Sequence, residues 1–151
     1  MKRKKWLLFL ILLLAVVVFP FFFSRNSSYL SVIEANWELT FPEDARWKLL
    51  YQADSGPSPH GDGWRYHVYA YEQEEVAASM LPWSRETGKT VFQESYSLAA
   101  ETWLNAIQVP QEERPDYDAC LVWFSSQHDN SQILIFRDPQ KKTVYIAENF
   151  L

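Results

Sequence analysis

Gln132-Ile133-Leu134-Ile135-Phe136-Arg137, then Asp138-Pro139-Gln140-Lys141, then Thr143-Val144-Tyr145-Ile146-Ala147-Glu148 form the stretch that decides the fold. Both flanks are short runs rich in β-branched and aromatic residues, bounded by turn-forming residues, the pattern of strands. Between them Pro139 presets φ for a turn, and the Asp138 carboxylate is placed to accept backbone hydrogen bonds. The reading is a β-hairpin, and a hairpin needs further strands or a helix to be stable.

Working backwards, Ala119 to Ser125 reads as a third strand. Before it, Phe92, Tyr96, Ala99, Trp103 and Ile107 recur at helical spacing, with Glu94, Ser97, Glu101, Asn105 and Gln108 on the other side. Thr90-Val91-Phe92-Gln93 has the form of a capping box for that helix, and Pro110 ends it. Glu74 to Leu81 reads as a short helix stopped by Pro82. Trp64 to Glu72 alternates, with Trp64, Tyr66, Val68 and Ala70 on one face and Arg65, His67, Tyr69 and Tyr71 on the other. Arg46 to Tyr51 alternates in part, and Tyr29 to Trp37 suits a helical turn or two with Leu30, Ile33 and Trp37 on one side. The expected fold is α+β: a mostly antiparallel sheet in the order β-β-α-α-β-β-β, with helices on one face.

The other end of the chain has a different character. Lys2, Arg3, Lys4 and Lys5 precede Trp6 to Phe23, 18 residues without a charge, roughly 27 Å long as a helix and close to the thickness of a bilayer core. No small-x-small pair ends the run, so an uncleaved signal-anchor is favoured over a removable signal peptide. The basic residues ahead of it predict a cytoplasmic N-terminus and an extracytoplasmic C-terminal domain, hence a single-pass protein of a bacterial cell membrane. The expected organisation is a basic tail at 1–5, a transmembrane helix at 6–23, a linker or short helix at 24–38, and the extracytoplasmic domain at 39–151.

Four of the 14 basic residues lie in that tail, so the remaining ten stand against 19 acidic residues, a formal charge of −9. This disfavours nucleic acid and anionic lipid headgroups as partners, because both call for clustered cations. The one cysteine, Cys120, lies in the apolar run Ala119-Cys120-Leu121-Val122-Trp123-Phe124. It reads as a buried structural thiol rather than a nucleophile.

Asp54-Ser55-Gly56-Pro57-Ser58-Pro59-His60-Gly61-Asp62-Gly63 is a ten-residue loop dense in turn formers. Here the chain resembles a group of small, uncharacterised, membrane-anchored proteins of Gram-positive bacteria, whose loop has the form Asp-Thr-His-Gly-Gly-Phe-His-Gly-Asp-Gly. Asp54, His60, Gly61, Asp62 and Gly63 match it in place. Gly56 and Pro59 stand where that group has its first His and its Phe. Leu39-Thr40-Phe41-Pro42 with Asp44-Ala45, then Leu81-Pro82-Trp83, then the hairpin from Ile133 to Ile146 are similar in the same order. The resemblance covers residues 39 to 151 and implies a fold and a location, but no activity.

On physical grounds Asp54, His60, Gly61, Asp62 and Gly63 are the candidate binding residues. Asp54, His60 and Asp62 could offer one nitrogen and two carboxylates to a divalent cation. The plainer alternative is that Asp62-Gly63 makes a turn and His60 caps the loop. His67 and His128 read as packing or solvent-facing residues. No G-x-S-x-G, H-E-x-x-H, GxGxxG or P-loop pattern occurs. No cofactor and no catalytic residue is therefore assigned. The expected function is non-enzymatic, the binding of another envelope protein or peptide, with a metal-binding or metal-dependent hydrolytic domain as the rival.

Overall fold

A computed structural model describes residues 28–85 and 88–151. The chain divides into two compact units, Met1–Leu39 and Thr40–Leu151. The described part of the first holds helix α1 (Ser28–Trp37), on which Leu30, Ile33 and Trp37 are the buried side chains.

In the second unit the elements follow as β1 (Lys48–Asp54), β2 (Gly63–Ala70), α2 (Glu74–Ser79), α3 (Tyr96–Ala106), β3 (Leu121–Ser126), β4 (Gln132–Asp138) and β5 (Thr143–Phe150). Short 3-10 turns at Glu43–Ala45 and Gln111–Glu113 complete it. The five strands form one sheet in the order β1-β2-β5-β4-β3, and every neighbouring pair is antiparallel. The hairpin β4–β5 pairs Asp138 with Thr143 at its turn. There Asp138 Oδ1 accepts from the backbone N–H of Gln140 (2.9 Å) and of Lys141 (3.0 Å).

One sheet face carries the main core. Tyr66 and Val68 of β2, Val122 of β3, Leu134 and Phe136 of β4, and Tyr145 and Ala147 of β5 pack with Ala99, Ala100, Trp103 and Leu104 of α3. The small Ala99-Ala100 pair lets the helix backbone come close to the strands, while Trp103 and Leu104 fill the space beside it. Tyr96 extends this layer by stacking on Phe124, with ring centroids 4.9 Å apart.

Three expectations are corrected. First, among the described residues no helix is long and apolar enough to cross a membrane. The membrane-spanning helix read at 6–23 lies outside the described residues, so the fold set out here is an α+β domain without a spanning helix.

Second, the helices do not share one face. α3 lies over the core face, but Glu74 of α2 pairs with Arg137, which alternates with Leu134 and Phe136 and so belongs to the opposite face. The Arg137 guanidinium also lies 5.4 Å from the centroid of Trp83. That second face is buried as well, at His67, Tyr69, Ile133, Ile135, Val144 and Ile146. The near-continuous apolar runs of β4 and β5 are what such double burial requires.

Third, Thr90-x-x-Gln93 is a tight turn and caps no helix. The Gln93 N–H donates to Thr90 O (3.0 Å) and the Thr90 N–H to Glu94 O (2.8 Å). Gln93 has φ +67°, a left-handed conformation that no helix passes through. The cap is Ser95, whose side chain accepts from the Leu98 N–H at 3.3 Å. Phe92 is consequently exposed, at 54 %, rather than part of the helix's core stripe.

Candidate functional site

The loop joining β1 to β2 is built by its own residues. Asp54 ends β1, and its Oδ1 accepts from the Gly56 N–H at 2.7 Å, an Asx turn that starts the reversal. The Ser55 N–H donates to Trp64 O (2.9 Å), and Ser55 Oγ accepts from the Trp64 N–H (3.0 Å). Together these clamp the two ends of the loop. Gly61 N–H donates to Ser58 O at 3.2 Å inside it.

Gly61 has φ +81° and Gly63 φ +131°, conformations that side-chain-bearing residues rarely adopt. A Cβ on Gly63 would also collide with Ser55 Oγ. The two glycines of the His-Gly-Asp-Gly run therefore have a backbone reason for being there.

The loop encloses a groove of about 410 Å³, whose lining includes Asp54, Ser58, Asp62, Trp64 and Arg65. Gly61 joins them, whereas His60 does not line the groove and is exposed. Asp54 has one oxygen engaged on the loop backbone. Trp64 packs against the edge of the core, and its indole N–H is buried without an acceptor among the described residues. The Arg65 guanidinium lies over the Phe150 ring at 4.5 Å.

Of the five residues singled out from the sequence, Asp54, Gly61 and Asp62 thus meet at one groove. Gly63 shapes the loop behind it, and His60 stands apart. Among the described residues no group of three or more His, Cys, Asp or Glu side chains could hold a metal ion. The three histidines do not converge, since His60 and His128 are exposed while His67 is buried within β2.

The geometry brings in Trp64 and Arg65, which sequence reading placed only as strand residues on opposite faces. Their position directly after the last glycine of the loop was the available signal, because a loop must end where its closing strand begins.

A second, wider groove of about 730 Å³ lies beside α3, lined in part by Glu101, Arg114, Asp116, Tyr117 and Lys141. Its floor is a satisfied network. Arg114 donates to Glu101 Oε2 (2.6 Å), to Asn105 Oδ1 (2.8 Å), and twice to Val109 O. Tyr117 donates to Glu101 Oε1 at 2.7 Å. These contacts fasten the segment after α3 to the helix, which gives the groove an ordinary structural origin.

Cys120 is buried, and burial pushes its thiol up to about 12, with Asp138 and Asp116 adding to the shift. A thiol of that kind is not a nucleophile at neutral pH.

The two edges of the sheet differ. The β3 edge is covered where Ser84 exchanges backbone hydrogen bonds with Val122, at 3.0 and 2.8 Å. β1 has β2 on one side, and among the described residues no strand or bridge pairs with its other side. A bulge at Leu50 interrupts β1, for Leu49 faces Tyr69 while Tyr51 already faces Val68. From Tyr51 to Asp54 the strand is regular and runs straight into the groove.

No family model, curated protein or solved structure matches this chain.

Proposed function

We propose that this chain is a binding module that holds an extended segment of another protein or peptide, with no chemistry of its own. The partner expected from the sequence, an envelope protein or peptide, is part of that proposal. The observation that carries it is the continuity of the open edge of β1 with the groove of the 54–63 loop. An exposed edge presents a row of unpaired N–H and C=O groups whose natural complement is another extended backbone. Side-chain pockets next to such an edge supply selectivity.

The metal-dependent rival gains nothing from the geometry. His60 points to no shared site with Asp54 and Asp62 among the lining residues of the groove, and Asp54 already serves the loop backbone.

The test is photo-cross-linking in the native host with the full chain carrying a photoreactive residue at Gln52, on the edge, or at Asn130, in the exposed turn before β4. A discrete adduct from position 52 and none from position 130 is the expected result. Equal adducts from both positions, or none from position 52, would sink the proposal.

A further inference from the structure

We infer that the segment held at the β1 edge is basic, and that one of its lysine or arginine side chains enters the groove between Asp54 and Asp62 beside Trp64. This rests on the binding-module reading and adds the chemistry of the partner.

Three observations converge on it. The groove wall holds two carboxylates, on Asp54 and Asp62, and neither belongs to a salt bridge among the described residues. Among the described residues the wall also holds one cation, Arg65, which faces Asp54 across the β1–β2 ladder and has its guanidinium over the ring of Phe150, so the wall keeps a formal charge of −1. Trp64 supplies an aromatic surface in the same groove, the kind of surface on which a cation is stabilised.

The formal charge of −9 carried by everything after residue 5 attracts a cationic partner at long range and repels an acidic one.

The bulge at Leu50 sets the register. It bends the edge away from a straight ladder on its N-terminal side, as protected edges do. Pairing is therefore confined to Tyr51–Asp54, the part that leads to the groove.

The experiment uses the full chain and three short, capped peptides. The first alternates valine and lysine, the second alternates valine and glutamate, and the third is the valine–lysine peptide N-methylated on alternate amides. Backbone amide exchange along β1 is followed by titration, with gel filtration and light scattering reporting any self-association.

The expected result is slowed exchange at Tyr51–Asp54 with the valine–lysine peptide. The glutamate peptide should bind roughly tenfold or more weakly, and N-methylation should abolish binding. Asp62→Asn should weaken the lysine peptide about threefold and flatten the salt dependence. Asp54→Asn, which keeps an acceptor for the Gly56 N–H, should do the same. Equal binding of the lysine and glutamate peptides at β1 would overturn the basic-partner inference and leave the edge-binding reading standing. No protection of β1 by any peptide would overturn both. Concentration-dependent protection of β1 by the protein alone would replace the foreign partner with a second copy of the chain.

Discussion

His67 is the residue whose chemistry is most altered by its surroundings. It is 4 % exposed on β2 and stacks on Tyr69, with ring centroids 6.3 Å apart. Burial pushes its pKa down to about 4, with Asp54 opposing and Arg65 reinforcing the shift. The unfolded chain, with an ordinary histidine near 6.5, binds the proton first as pH falls. The folded state therefore loses stability between about pH 6.5 and pH 4, and this contribution levels off below that range. Taking about 1.4 kcal/mol per unit, the loss amounts to about 3 kcal/mol. Urea melts of the wild type at pH 7 and pH 4.5 should show about 2 kcal/mol of it, and His67→Phe should remove most of that difference. An equal pH dependence in both proteins would place the effect elsewhere. Gly61 and Gly63 make the complementary point about the loop. They look like part of a ligand motif in sequence, yet their positive φ angles account for them through backbone geometry alone.

Among the elements, α3 shows how a start signal is misread. The sequence reading takes Thr90 as the cap, whereas the helix begins at Tyr96 and is capped by Ser95. The left-handed Gln93 separates them, so the Thr90 side belongs to a turn. Ser95→Ala should cost about 1 kcal/mol, the usual value of an N-cap hydroxyl, read as a lowered midpoint in chemical denaturation. A loss of less than about 0.3 kcal/mol would show that the 3.3 Å contact to Leu98 contributes little and that packing alone fixes the helix start. The hairpin β4–β5 is the opposite case. Its turn residues, flank lengths and composition agree, and Asp138 makes the backbone contacts that its position in the turn implies. Where local signals reinforce one another, an element is legible without its neighbours.

At the scale of the whole molecule, the central strands β2, β5 and β4 are buried on both faces while β1 has one edge unpaired among the described residues, so truncations should divide sharply by location. Leu134 is fully buried at the centre of the core cluster, and Leu134→Ala should cost about 2–5 kcal/mol, with a clear fall in melting temperature. Leu50, 52 % exposed on the bulge, should tolerate Thr within about 0.5 kcal/mol. Comparable losses at the two sites would mean that the bulge is covered in solution, which would also remove the edge on which the binding proposal stands.

The sequence by itself determined the hairpin, the amphipathic helix, the alternating second strand, the buried cysteine and the antiparallel, α+β character of the domain. Each of those rests on residues close together in the chain, through periodicity, turn chemistry or local polarity. Only the tertiary structure decided the rest. Strand order is a choice among pairings of distant segments, so the open edge at β1 and the closed one at β3 are visible only once the sheet is assembled. The same holds for the groove. Asp54, Asp62 and Trp64 flank one loop, and no spacing rule says that the glycines fold it so that His60 stays outside while Trp64 lines the groove. That outcome follows from backbone angles at Gly61 and Gly63 and from the clamp between Ser55 and Trp64, which act together only in three dimensions.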